Sequence, residues 1–193
     1  THGSPNQVNA HPHMDCKAEI AIVHNGIIEN YAKLKTELIK EGHKFISSTD
    51  TEVIVHLVEK FFKNGNLEEA VLRAITKLEG SFAIAGVSQR EPHKLVGARL
   101  GVLLIVGLGK NENFLASDAP AILDVTKEVI FLDDKELVVL GKDSLKVMDF
   151  KGEIITKNPV RINWNIDQAQ KQGYKHFMLK EINEQPRILE NLL

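Results

Sequence analysis

Up to about residue 80 the apolar positions of this chain mostly recur at helical spacing. Beyond it they gather into short runs separated by turn residues. EIAIVH, residues 19–24, is an apolar run suited to a buried strand. From Gly26 the spacing changes: Ile27, Tyr31, Leu34 and Leu38 predict a helix that opens at the Asn25-Gly26 step and closes at Gly42. KFISS, residues 44–48, reads as a brief strand. TDTEVIVHLVEKFFKNG predicts a second helix, with Thr49 or Asp50 as its cap and Val53, Ile54, Leu57, Val58 and Phe61 on one apolar face. Glu52 then falls in an exposed first turn or in a capping contact. NLEEAVLRAITKLEG predicts a third helix with Leu67, Ala70, Val71, Ala74 and Leu78 turned inward.

After Gly80 the runs SFAIAGVS, KLVGARL, VLLIVGLG, NFLAS, EVIFL, ELVVLG, LKVMDF and EIITK read as strands joined by Gly, Asp and Lys turns. ASDAPAIL is a short helix candidate, and NPVRINWNIDQAQKQGYKH reads as a connector. FMLKEINEQPRILENLL begins another helical pattern. The order of strand, helices and then many strands predicts an α+β fold, with helices packed outside sheets. Runs such as EIAIV and VLLIVG are apolar at nearly every position and need cover on both faces, which points to two stacked sheets.

Composition narrows the function classes. A formal net charge of −2 gives no basic footprint for nucleic acid or an anionic membrane. The longest apolar runs fall well short of the ~18 residues that span a bilayer. A single cysteine, Cys16, rules out an internal disulfide framework and fits a reducing compartment, so a cytoplasmic location is expected. The chain opens on Thr1 within a loop-like stretch and ends on Leu192 and Leu193, which reads as a piece of a longer protein.

Candidate chemistry gathers between Val8 and Tyr31, in VNAHPHMDCKAEIAIVHNGIIENY. The residues alone leave three readings open. His11, His13 and His24 offer metal ligands, but no second close pair accompanies them. Cys16 offers a nucleophile, but it lies in a polar turn with no helix N-terminus close behind it. Asn25 and Gly26 offer hydrogen-bond donors for an oxyanion: a side-chain amide and a backbone N–H that no Cβ shields. Asn-Gly is also a common turn.

THGSPNQVNAHPH, VHNGIIENY, STDTEVIVHL and YKHFMLKEINEQP occur in that order. Together they resemble the class II glutamine amidotransferase (glutaminase) domain of the glutamine–fructose-6-phosphate aminotransferase (isomerizing) family. The resemblance runs from Thr1 to Leu193. The combination of THGxPxxxNAHPH with KEIxEQP resembles this branch rather than the phosphoribosyl or asparagine-forming ones. Val102 and Leu103 depart from it, standing where the family usually has Ser-Pro.

The resemblance implies a four-layer αββα sandwich of N-terminal-nucleophile hydrolase type, here expected to lack its first strands. Residues 1–176 would form the glutaminase domain, incomplete at its N-terminus, and 177–193 the start of the connection to a sugar isomerase domain. Asn25 and Gly26 match the oxyanion hole and Asp50 the partner of the substrate's α-ammonium. Thr1 and His2 match the end of the motif that holds its α-carboxylate. His11, His13 and His24 would lock the loop around the site. No metal or cofactor is implied. The family's nucleophile is an N-terminal cysteine upstream of the THG motif, and Cys16 does not stand in its place. The chain alone is therefore expected to be inactive. The parent would make glucosamine 6-phosphate and glutamate from fructose 6-phosphate and glutamine, in hexosamine biosynthesis, with a missing N-terminal segment as partner and homo-oligomeric assembly. A catalytically dead glutamine-binding or assembly module, or another amidotransferase branch, is the alternative.

Overall fold

The computed structural model describes residues 3–63, 65–162 and 174–192. Two antiparallel sheets stack face to face. The first contains β1 (His13–Met14), β2 (Ile20–Ile28), β3 (Gly80–Ser88), β4 (Leu95–Leu100), β8 (Glu136–Leu140), β9 (Leu145–Asp149) and β10 (Ile154–Ile155), hydrogen-bonded in that order. The second has the order β11 (Val160–Arg161), β7 (Glu128–Phe131), β5 (Ile105–Leu108) and β6 (Asn113–Ala116). Three helices, α1 (Tyr31–Lys40), α2 (Thr51–Phe61) and α3 (Leu67–Ile75), pack on the outer face of the first sheet. A last helix, α4, runs Phe177–Leu192.

The two-residue period of a strand explains why the inner runs are apolar throughout. Phe82 and Ile84 of β3 face the helices, while Ala83 between them faces the second sheet. Leu137 and Met148 likewise face the helices, and Val138, Leu140 and Val147 face the other way. In β5, Val106 enters the core between the sheets, while Ile105 packs outward against Ala119, Ile122 and Leu123 around a short 3-10 turn. This is the expected α+β layering. ASDAPAIL supplies that 3-10 turn, Ala119–Ala121, in place of a regular helix. The proposed connector supplies β11, and its residues 163–173 lie outside the described residues.

Two expectations fail near the candidate chemistry. The helix does not open at Asn25-Gly26: β2 continues to Ile28 and α1 starts at Tyr31. Asn25 pairs with Ala83, Gly26 with Phe82 and Ile27 with Ser81, so the step lies within a strand. Gly26 adopts φ +125, and a Cβ there would overlap the Ser81 carbonyl oxygen. KFISS forms no strand, because the N–H groups of Ile46 and Ser47 are taken by a carboxylate instead of a neighbouring strand. The end of α1 follows its sequence signal: Gly42 adopts φ +98, and His43 N–H reaches back to the Leu38 carbonyl.

Candidate active site

α2 is buried at every position from Thr51 to Val58, so its polar side chains must find partners inside the protein. Of the two expectations for Glu52, an exposed first turn or a capping contact, its 1% exposure rules out the first. Its carboxylate turns back across the preceding loop. It accepts the N–H of Ile46 at 2.8 Å, the N–H of Ser47 at 2.7 Å and the Ser47 hydroxyl at 2.6 Å. Burial opposes its charge, but these bonds and His56 outweigh burial and bring its pKa down to about 2.

Asp50 precedes α2 but does not cap it with its side chain. Oδ2 turns toward β2 and accepts the Ile28 N–H at 2.8 Å. Asp50 is 3% exposed, and no basic side chain forms an ion pair with it among the described residues. Asn25, Gly26 and Asp50 line one hollow of about 340 Å³, walled also by Asn9, Ala10, His11, His24, Thr49 and Thr51. Asn25 also borders a second hollow of about 310 Å³ between the sheets, facing Leu104, Leu115 and Ser117. The three residues singled out for donor and carboxylate chemistry therefore meet around one space. Thr1 and His2 lie outside the described residues. Their neighbour Gly3 sits close against Asn9 and the Ser48 hydroxyl, at the edge of the same wall.

Histidines and hydroxyls fasten that wall. His11 Nε2 lies 3.2 Å and His24 Nδ1 3.0 Å from the Thr51 hydroxyl, and His13 Nε2 lies 3.1 Å from that of Thr49. Asn9 donates to Ser48 Oγ and accepts the Ser48 N–H, tying the N-terminal segment to the α2 approach. The His11 and His13 rings meet edge to face, at 85°. Their Nε2 atoms engage different threonines. Thr51 and Asn9 were not singled out in the sequence, and Thr49 only as a possible helix cap. The only local signal for the threonines was their flanking of Asp50 in STDTE.

Burial holds His24 neutral, pushing its pKa down to about 4 against the pull of Asp50. The unfolded chain binds a proton there near pH 6.5, and the folded chain does so only near 4. Stability present above pH 6.5 is therefore lost as pH falls toward 4, by roughly 3 kcal/mol for this one group. Urea unfolding of wild type and His24→Gln at several pH values across that window checks it. The variant is expected to show the shallower decline.

Cys16 is not part of the hollow. Its sulfur accepts the Lys44 N–H at 3.3 Å and lies near His43 and His56. Burial, together with Glu59 and Asp15, pushes its thiol pKa up. A protonated thiol outside the cavity is a poor nucleophile for anything bound within it.

A family profile described as a glutamine amidotransferase domain matches residues 5–124. Glutamine–fructose-6-phosphate aminotransferase (isomerizing) from Methanothermobacter thermautotrophicus is 56% identical over all of this chain and 33% of its own length. The enzyme of that name from Aquifex aeolicus is 54% identical over all of this chain and 32% of its own. The chain thus spans about a third of the length of these curated relatives. Among solved structures, a Bacillus subtilis glutamine phosphoribosylpyrophosphate amidotransferase superposes with a TM-score of 0.63 at 22% identity. That match covers 78% of this chain and 34% of the other. A class II glutamine aminotransferase domain protein from Silicibacter pomeroyi gives 0.59 at 17% identity, covering 75% and 72%. At those identities the superpositions establish the sandwich fold of these amidotransferases.

Proposed function

The chain belongs to the glutamine amidotransferase domain family, and from that premise we propose that its hollow is where glutamine loses its side-chain amide nitrogen. The observation that carries this reading is the convergence of Asn25, Gly26 and Asp50 on one cavity. A buried carboxylate with one backbone N–H and no cationic partner among the described residues suits an ammonium group. Asp50 grips the α-ammonium, and Thr1 and His2 hold the α-carboxylate. A thiol attacks the side-chain carbonyl, and the Asn25 amide and Gly26 N–H receive the charge that develops on its oxygen. When the tetrahedral intermediate collapses, the C–N bond breaks and ammonia leaves. An acyl-enzyme remains for water to hydrolyse to glutamate. Each well-placed oxyanion donor contributes roughly 3 kcal/mol to such a step.

The attacking thiol in this reading is an N-terminal cysteine of the parent protein and not Cys16, which sits outside the cavity. Residues 1–176 form the glutaminase unit, and 177–193 lead to a sugar isomerase domain. Support comes from the identity to relatives three times as long and from the exposed Met178, Ile182 and Leu189 on α4. The parent, in the cytoplasm, passes the ammonia to fructose 6-phosphate to give glucosamine 6-phosphate.

Two assays test this. The parent protein is expected to form glucosamine 6-phosphate from glutamine and fructose 6-phosphate. Residues 1–193 alone are expected to release no ammonia from glutamine above background. Ammonia release by 1–193 that Cys16→Ala abolishes would overturn the assignment of the nucleophile. A parent that hydrolyses glutamine but ignores fructose 6-phosphate would belong to another amidotransferase branch.

A further inference from the structure

Four metal-binding side chains meet beside α2, outside the lining of the hollow: Cys16, His43, His56 and Glu59, whose ligand atoms all lie within 4.8 Å of one another. They come from the turn after β1, the loop after α1, and two positions of α2 three residues apart. That spacing puts His56 and Glu59 on one helix face. We propose that these four residues form a tetrahedral zinc site that staples the turn at Cys16 and the loop at His43 to α2.

The distances lie on either side of those a tetrahedral site requires, so small shifts would close the polyhedron. Zinc bonds of about 2.0–2.3 Å to nitrogen, oxygen and sulfur at tetrahedral angles place neighbouring ligand atoms about 3.3–3.6 Å apart. Here Cys16 Sγ lies 3.7 Å from His56 Nδ1 and 3.9 Å from His43 Nδ1. Glu59 Oε2 lies 2.8 Å from His43 Nδ1 and 3.1 Å from His56 Nδ1. Without a cation, both rings must direct an Nδ1–H at one carboxylate oxygen beside a thiol. With one, all four atoms present lone pairs to a common centre. One thiolate, two imidazoles and one carboxylate is a donor set that suits zinc over the oxygen-preferring magnesium and calcium.

The surroundings orient the ligands as an outer coordination shell would. His56 is 1% exposed, and its Nε2 faces Glu52 Oε1 at 3.6 Å. Glu52 is itself fixed by Ser47 and the Ile46 N–H. A proton on Nε2 toward that carboxylate leaves Nδ1 free for the metal. The Phe45 ring packs on the His56 ring at 4.4 Å between centroids, which limits its rotation. The Lys44 N–H, donated to Cys16 Sγ, favours a thiolate. Four protein ligands close the coordination sphere, so the role is structural. The metal would anchor the turn that follows His13 and steady the histidine wall of the hollow without touching substrate.

Cobalt titration of the metal-stripped protein tests the proposal without recourse to activity. One Co²⁺ per chain is expected, with intense visible bands of tetrahedral cobalt and a near-ultraviolet thiolate-to-cobalt band. Zinc should displace it stoichiometrically, and magnesium should not. Cys16 is exposed, so Cys16→Ser should fold; it is expected to lose the near-ultraviolet band. His43→Ala should weaken binding at least tenfold. Absence of the thiolate band from the wild-type protein, or its persistence in Cys16→Ser, would overturn the site.

Discussion

Asp50→Asn in the parent protein is expected to lower kcat/KM for glutamine by roughly 10²–10³-fold, the cost of about 3–4 kcal/mol for removing one partner of a buried charge pair. The substitution suits the test because it changes charge and little else. An asparagine carbonyl oxygen can still accept the Ile28 N–H that Asp50 Oδ2 accepts now. Asp50 makes no side-chain bond to α2, so the helix start keeps its contacts. The loss should therefore appear in glutamine kinetics while the melting temperature moves little. A glutamine analogue without the α-amino group supplies the second readout. Its binding should be nearly the same in wild type and variant, because the carboxylate has no ammonium to meet. Equal weakening toward both ligands would mean that Asp50 only shapes the wall.

Gly26→Ala is expected to be the most damaging single methyl in the region, for a reason independent of catalysis. Gly26 has φ +125, which side chains disfavour, and it lies opposite Phe82 in the middle of a paired strand. A Cβ would overlap the Ser81 carbonyl oxygen and stand 2.9 Å from Phe82 Cα. Those are backbone atoms of β3, paired with β2 on one side, with Phe82 also bridged to Gly101 on the other, so they have little room to swing aside. Such a clash belongs with the large destabilisations, above about 4 kcal/mol. For a domain of this size that lowers the melting temperature by roughly 10 °C or more, or prevents soluble expression. Gly42 provides the control, since it also has positive φ but nothing within 4 Å of an added Cβ. Gly42→Ala is expected to cost only about 1 kcal/mol. A Gly26→Ala protein no less stable than Gly42→Ala would show that the strand can yield.

The sequence was most legible where one local signal had no competitor. The third helix follows its apolar period, and its Asn66 cap accepts the Glu69 N–H. The strands after Gly80 follow their runs and turns. The Asn25-Gly26 step misled because two signals coincided. Asn-Gly is a turn dipeptide, and Ile27 falls in register with Tyr31, Leu34 and Leu38. Pairing with β3 overrides both and leaves Ile27 on the strand, 53% exposed. Two-residue strands such as β1 and β11 have no local signature; only their partners define them. The burial of Glu52 was not legible, because nothing near it in sequence reveals that α2 is buried at every position from Thr51 to Val58. The cluster around Cys16 was hidden for a related reason. Its members stand at 16, 43, 56 and 59, and a search for close ligand pairs around His11, His13 and His24 passes over it. The one adjacent pair is His56 with Glu59, on a helix face that reads as ordinary amphipathic spacing.

The burial of α2 has a practical meaning for anyone recombining these proteins. One rigid rod bears Asp50 at its start, Glu52 in its first turn, and His56 and Glu59 on the flank. Exchanging short loops between related amidotransferases would split that rod from the residues braced against it. A chimaera that transplants residues 43–61 as a single cassette, together with the Cys16 turn, should keep its shape where finer grafts fail.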